Sequence, residues 1–579
     1  MFSEPLIMNL QHRHIPLIFA LFFLMGSYAL HAQVEFPGEP LGINRHLKAA
    51  SVIYTLPPPD PLEIDALTDP GHDRISKALP FALKRYVNLS PEIHGSWSQE
   101  EGMRVWRVHL ISPEAYSLGA VFGSYRLEPG VKLFVYDPEM LRTKGAFTSG
   151  NNKSSGRLSI GHVPGQELII ELQVPLDLAH FGELELESLS HAFLDLEHQS
   201  APAACPGDFD CSQACEIDVN CSEGDDWWMV KPSVVRLYIE KTSGFDYCTG
   251  VLVNNTAYDG TPYILTAQHC IGTPLQAEQT LFHFNYQSDA CFGEDGALNM
   301  SIYESELMSV GDSLDFSLVK LSLEPPASYG VRYAGWERSG TPASPSTTIH
   351  HPMGDVKKIT FDDHLPEIPE KQSDVPAGDL EDYPYFSYWW IKRWETGTTE
   401  GGSSGGPLFN AAGRVIGTLS GGLARCGDSI GYNTDTDRII YNNVFNRDDY
   451  FTQFGMSWDY EKEKDKELAR WLDPLDSGVE TLGGYNPSSL DPVKAPAEKR
   501  FQVYPNPASR FFSIVSNMHA ASSATFVIRN ISGALLYQGE LDHEGRAIVD
   551  TDTFPPGIYL ISVNEQGYLE HHKLIVNGR

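Results

Sequence analysis

The chain is poor in positive charge. It carries 42 Lys and Arg against 76 Asp and Glu in 579 residues, a formal net charge of −34. Binding to a phosphate backbone needs cations that displace counterions, so this balance argues against a nucleic-acid partner. It favours basic partners at low ionic strength. Long apolar runs are also scarce. One, Ile15 to Leu30, follows Arg13 and ends near Ala32. It is short for a spanning helix and reads as a signal peptide over residues 1–32, cleaved near Ala32 and Gln33. No second apolar stretch is long enough to span, so no other transmembrane anchor is expected. Cysteine is sparse, with eight in the whole chain. No C-x-x-C pair and no His-rich cluster has zinc spacing, so neither a metal nor a cofactor is implied. An even count behind a leader fits structural disulfides, although eight cysteines allow about 105 pairings. The acidic run between Cys205 and Asp226 offers oxygen ligands of the kind calcium takes, but reads as a solvated loop.

What the chain does have is β pattern. Residues 33–204 contain strand-like runs at Val105–Ile111, Leu133–Tyr136 and Leu168–Leu172, punctuated by Gly, Pro and Asn. These predict a β-sandwich-like domain without a catalytic cluster. Residues 205–486 hold many short strands with turn signals, as barrels do. An acidic loop, Asp362 to Asp382, interrupts them, and the spacing of Glu461 to Leu472 predicts a short terminal helix. A Pro/Ser/Ala-rich linker over 487–500 leads to a small β-domain over 501–579. The class is all-β.

The chemistry is concentrated in Thr399-Glu-Gly-Gly-Ser-Ser-Gly-Gly-Pro-Leu408. Glycines around Ser404 let the backbone turn sharply and aim two N–H groups beside a hydroxyl, which acyl transfer requires. Upstream, Leu265-Thr-Ala-Gln-His-Cys270 follows an apolar β-like run and supplies His269 as a base for the serine proton. Asp315, in Leu314-Asp-Phe-Ser-Leu-Val-Lys-Leu321, opens an alternating strand. A carboxylate there can fix the imidazole tautomer. The order His, Asp, Ser is that of chymotrypsin-type double barrels and not of subtilisins or α/β-hydrolases.

Seven blocks then agree in order with a known family: Cys215-Glu-Ile-Asp-Val-Asn-Cys221, Cys248-Thr-Gly-Val-Leu-Val-Asn-Asn255, the His269 block, Phe284-Asn-Tyr-Gln287, Gly335-Trp336, Ile349-His-His-Pro352 and the Ser404 block. Over about Cys215 to Asp476 the chain resembles lysyl endopeptidases, secreted bacterial serine proteases of the trypsin-like superfamily. The resemblance implies a double β-barrel and a triad of His269, Asp315 and Ser404. It also implies an oxyanion hole from the Gly402 and Ser404 N–H groups, and protein or peptide substrates cut after lysine. It implies the disulfides Cys215–Cys426, Cys221–Cys291 and Cys248–Cys270, which leaves Cys205 and Cys211 to close a small loop. A buried ammonium needs a carboxylate partner. In this family the acid lies shortly before a Ser-Trp pair. Counting back from Ser457-Trp458 reaches Asp449; counting forward from Cys426 reaches Asp435. The aromatic pattern that follows favours Asp449. Ser420-Gly421-Gly422 would be the strand edge that pairs with substrate backbone, and Trp394 would wall the site. Two departures stand out. Ser403 replaces the aspartate that pairs with a new N-terminal amine in trypsin, and Ser420 stands where the family has histidine. The region 33–204 then reads as a pro-domain, with a retained accessory domain as the other possibility. Another P1 preference, arginine or non-basic, and a non-catalytic surface adhesin are the alternatives for function.

Val503-Tyr-Pro-Asn-Pro507, Ile531-Ser-Gly533, Gly557-Ile-Tyr-Leu560 and Lys573-Leu-Ile-Val576 resemble the type A sorting domain of the type IX secretion system. That implies a Bacteroidetes-like source, passage through the periplasm and outer membrane by the type IX machinery, and a product that is released or held at the cell surface. The rival, a carbohydrate-binding module, lacks paired aromatics.

Overall fold

The computed structural model describes residues 38–41, 52–68, 76–195, 212, 215–487 and 501–576, leaving out short internal stretches of which the longest are 434–437, 442–447, 460–465, 517–523 and 531–534. The leader, Cys205, Cys211, Asp435 and nearly all of the linker lie outside the described residues. Packing divides the chain into two units, Met1–Ser488 and Ser489–Arg579. Among the described residues no helix is long and apolar enough to cross a membrane.

The first unit begins with a β-sandwich. In one sheet Met103–Ile111 pairs with Glu167–Pro175, followed by Lys132–Tyr136 and Thr143–Phe147. The facing strands are Leu158–Pro164, Ser117–Leu127 and Gly182–Ala192. Trp106, Val108, Leu110, Phe122, Leu133 and Ile170 fill the space between them. The three strand runs expected here are present, each a residue or more longer than its apolar pattern.

A double barrel follows. In the first half Val234–Glu240, Gly244–Val253, Tyr263–Thr266 and Phe316–Leu321 are joined edge to edge. Its core holds Leu237, Cys248, Ile264 and Val319. In the second half Ser346–His350, Pro407–Phe409, Arg414–Gly422 and Asp449–Gln453 form the sheet. The three expected cysteine pairs are bonded: Cys215–Cys426, Cys221–Cys291 and Cys248–Cys270.

The sandwich and the double barrel share a sheet. Leu79–Leu89 pairs along one edge with Gly182–Ala192 and along the other with Gly244–Val253. The sandwich sheet therefore runs into the first barrel without a break. A common core lies under the junction, where Phe81, Ala82 and Val121 meet Tyr238, Phe245 and Tyr247. The Phe81 and Tyr247 rings stack at 4.1 Å. Each edge strand would otherwise present unpaired N–H and C=O groups, and this bridging strand covers both.

Two expectations need correction. Of the helix expected over Glu461 to Leu472, the described part is one turn, Ala469–Leu472. Leu468 and Leu472 repeat at helical spacing because both are buried in a core shared by the two barrels. The acidic run near Cys215 is not solvated throughout, because Glu216 and Asp218 are buried.

The second unit is a small β-sandwich. Phe501–Tyr504, Phe511–Ser516 and Arg546–Asp550 form one sheet, and Leu535–Glu540, Ala524–Asn530, Gly557–Glu565 and Tyr568–Val576 the other. Phe501, Phe512, Phe526, Ile561 and Leu574 share its core.

Candidate active site

Register brings His269 and Asp315 together. Thr266 lies opposite Ser317 in the pair of strands that ends just before His269 and begins just after Asp315. The His269 backbone N–H donates to Asp315 Oδ1 at 3.0 Å, and His269 Nδ1 lies 2.9 Å from Asp315 Oδ2. Asp315 is fully buried. A buried carboxylate facing Nδ1 keeps the proton there and leaves Nε2 as the acceptor. Ser404, from the second barrel, has Oγ 2.7 Å from that nitrogen.

The Ser404 turn is locked to the first barrel. The Thr249 N–H donates to the Ser404 carbonyl at 2.8 Å, and the Thr249 hydroxyl donates to the Gly402 carbonyl at 2.9 Å. Gly402 has φ +93°, and a Cβ there would sit 2.6 Å from the His351 carbonyl oxygen. Gly405 has φ +78°, and its Cβ would lie 2.1 Å from Thr266 Oγ1. Only glycine fits either position. Ser403, the departure noted in the sequence, has a partner of its own. Its Oγ lies 2.8 Å from Nδ1 of buried His350 and accepts the Glu400 N–H at 3.1 Å. Burial, helped by nearby Lys77 and Lys358, pushes the His350 pKa down to about 3, so the ring is neutral. A neutral hydrogen bond occupies the place where trypsin has an ion pair.

The cleft is filled by the chain itself. The Lys77 carbonyl accepts the Gly402 N–H at 2.5 Å and the Ser404 N–H at 3.4 Å. Ser76 makes an antiparallel bridge with Gly421. The Lys77 side chain runs to a buried acid, and its ammonium donates to Asp449 Oδ1 at 2.7 Å, to the Thr399 carbonyl at 3.0 Å and to the Ala424 carbonyl at 3.1 Å. The Thr399 hydroxyl accepts a further hydrogen bond from it. Asp449 has no solvent exposure. Its Oδ2 accepts from Trp394 Nε1 at 2.7 Å and from Thr399 Oγ1 at 2.6 Å. Burial raises the Asp449 pKa, and Lys77 with these donors pulls it back. The neighbouring Asp448 points elsewhere, accepting from Trp390 Nε1 at 3.0 Å and the Tyr450 hydroxyl at 2.7 Å. The structure thus brings His269, Asp315, Ser404, Gly402, Gly421 and Asp449 to one cleft. Ser420 Oγ lies 3.0 Å from Thr452 Oγ1, and Gly422 pairs with Asp449 in the strand ladder. Trp394 is buried, and its Nε1 donates to the acid that faces Lys77. Sequence reading missed Lys77, Thr399, the Ala424 carbonyl and His350. Only Thr399 and His350 lay inside blocks already singled out.

Residues 209–438 match the family model described as lysyl endopeptidase, C-terminal domain, and residues 502–577 match the secretion system C-terminal sorting domain. A lysyl endopeptidase of Pseudomonas aeruginosa is 28% identical over 285 residues, covering 46% of this chain and 57% of that protein. Secreted RxLR effector protein 73 of Plasmopara viticola is 31% identical over 135 residues, covering 22% of this chain and 32% of its own. The chain thus spans little more than half the length of the first of these relatives and about a third of the second. Among solved structures, a thermostable serine protease, AL20, is 14% identical, with a TM-score of 0.26 over 38% of this chain and 91% of that one. That score carries no argument, and the fold rests on the strands described above. With its sorting-domain match the chain is an exported or cell-surface protein, and it is lysyl endopeptidase-like across the region that holds His269, Asp315 and Ser404.

Proposed function

We propose that the chain is a secreted serine endopeptidase that cleaves after lysine through an acyl-enzyme. The observation that carries this is the seating of Lys77, with its ammonium on Asp449 and its carbonyl between the Gly402 and Ser404 N–H groups. A bound peptide would lie the same way. Ser404 Oγ attacks the carbonyl carbon while His269 Nε2 takes the hydroxyl proton, and Asp315 stabilises the imidazolium. The two N–H groups hold the oxyanion. His269 then gives its proton to the leaving amine, and water repeats the sequence to release the acid. Gly421 pairs with substrate backbone as a strand edge does.

Lysine is favoured over arginine by the state of the acid. Thr399 and Trp394 already donate to Asp449 Oδ2, which leaves Oδ1 for the substrate cation. A guanidinium seeks both oxygens of a carboxylate in a planar fork, whereas a compact ammonium takes one and adds carbonyls around it. The region 33–204 blocks the cleft in this reading, since the segment in the cleft is its own. The last unit engages the type IX secretion machinery, with release or surface anchoring to follow.

A fluorophosphonate probe tests the enzyme reading. The secreted form should be labelled on Ser404, and Ser404→Ala should lose both the label and cleavage of a lysyl peptide. An unlabelled Ser404 with the cleft open would leave the adhesin reading.

A further inference from the structure

The segment in the cleft is placed as a substrate. We infer that Lys77–Ala78 is an intramolecular scissile bond, that one self-cut there opens the site, and that the N-terminal sandwich stays with the enzyme afterwards. This rests on the lysine-specific reading above.

The unprimed side is seated through Ser76 on Gly421 and through the Lys77 side chain and carbonyl. Immediately beyond the carbonyl, Ala78 is buried against the first barrel, and Leu79 starts the bridging strand. The bond therefore crosses the catalytic serine with both flanks held. Ser404 Oγ forms an ester with the Lys77 carbonyl carbon, and the C–N bond to Ala78 breaks. The proton taken by His269 passes to the Ala78 nitrogen. Water then hydrolyses the ester, freeing the Lys77 carboxylate and restoring Ser404 and His269.

The two sides are held very unequally after the cut. The Ala78 side continues into an eleven-residue strand whose first half pairs with Gly244–Val253 and whose second half pairs with Gly182–Ala192. The Lys77 side is anchored upstream by the Leu41 N–H on Glu171 and the Glu39 carbonyl on Gln173, by Ile53–Thr55, three residues of parallel strand on Met103–Ile111, and by a short helix, Pro61–Thr68, with no buried residue. The piece ending at Lys77 leaves; the sandwich does not. Its connection to the barrels is out of reach of a lysine-specific enzyme, because the chain has no lysine between Lys153 and Lys231. Those two flanking lysines are themselves engaged. Lys153 Nζ donates to the Tyr303 carbonyl at 3.1 Å, and Lys231 Nζ to Asn220 Oδ1 at 3.3 Å.

The experiment uses the full chain as wild type, Ser404→Ala and Lys77→Gln, followed by N-terminal sequencing and intact mass. The wild type should gain a new N-terminus at Ala78, at a rate unchanged over about 100-fold dilution, as intramolecular chemistry requires. Ser404→Ala and Lys77→Gln should keep the bond. The cut product should run from Ala78 through the barrels as one chain. A wild type that cleaves a lysyl peptide in trans while Lys77–Ala78 stays intact overturns the inference and leaves the proposed function standing. A cut in Ser404→Ala, or a rate proportional to concentration, also overturns it. A second N-terminus between 196 and 215 overturns retention of the sandwich. Loss of self-cutting, of trans cleavage and of fluorophosphonate labelling together rejects the underlying function.

Discussion

Asp315 and Asp449 are both buried carboxylates facing a positive or ionisable partner, yet they are built for opposite uses. Asp315 faces His269, a fixed part of the fold, and also takes that residue's backbone N–H. Asp449 faces the Lys77 ammonium, which under the proposed reading belongs to a segment that substrate replaces. One site has its partner permanently, while the other must survive its partner's departure. The Trp394 and Thr399 donors on Asp449 serve that purpose, because a buried carboxylate left with no donors is costly. Under the proposed function, catalysis and recognition use the same residue type, separated by whether the countercharge comes from the fold or from the ligand.

The largest effect should come from the fixed pair. Asp315→Asn keeps the shape but allows the wrong imidazole tautomer, and kcat should fall about 10³–10⁴-fold with KM little changed. Steady-state kinetics on a lysyl ester measure it. Asp449→Asn should act on recognition. Removing one member of a buried ion pair costs about 3–5 kcal/mol, so kcat/KM for lysyl peptides should fall at least about 100-fold. Acylation by a small neutral activated ester should be unaffected. Equal losses on both substrates would mean that Asp449 supports the fold and not the pocket. Because burial raises the Asp449 pKa, lysine affinity should also weaken as pH falls, read as a rise in KM.

Trp394→Phe removes one donor from Asp449 and leaves the ring. A lost hydrogen bond to a charged group is worth about 1.5–3 kcal/mol, so KM for lysyl peptides should rise roughly ten-fold or more, with kcat nearly constant. The smallest effect concerns stability. His350 has a folded pKa of about 3 against roughly 6.5 unfolded. Between those values the unfolded chain takes up a proton that the folded chain refuses. Stability therefore falls as pH drops through that window, by at most about 1.4 kcal/mol per pH unit from this residue, and is unaffected above it. His350→Gln should flatten that slope in urea midpoints measured at pH 7 and pH 5.

The same contrast marks what could be read from the sequence. His269, Asp315 and Ser404 each sit at a strand end inside a short, chemically constrained run, and their order fixed the arrangement. Asp449 was reached by two counts that disagreed. Between Cys426 and Asp449, Ser429–Asn433 and Arg438–Tyr441 pair as antiparallel strands. The bridging strand gave no local sign of its role. Leu79–Leu89 does not alternate cleanly, because consecutive residues Phe81, Ala82 and Leu83 are buried on both faces. Lys77, just ahead of it, looked like any surface lysine. Its place in the cleft comes from a pairing across more than three hundred residues, which no local pattern encodes.

The most direct test is to expose the secreted enzyme to a mixed peptide library and map every cut. A pocket built around Oδ1 of Asp449 yields lysine at nearly all P1 positions, with arginine at least about ten-fold less frequent. Comparable cutting after arginine, or after uncharged side chains, would contradict it.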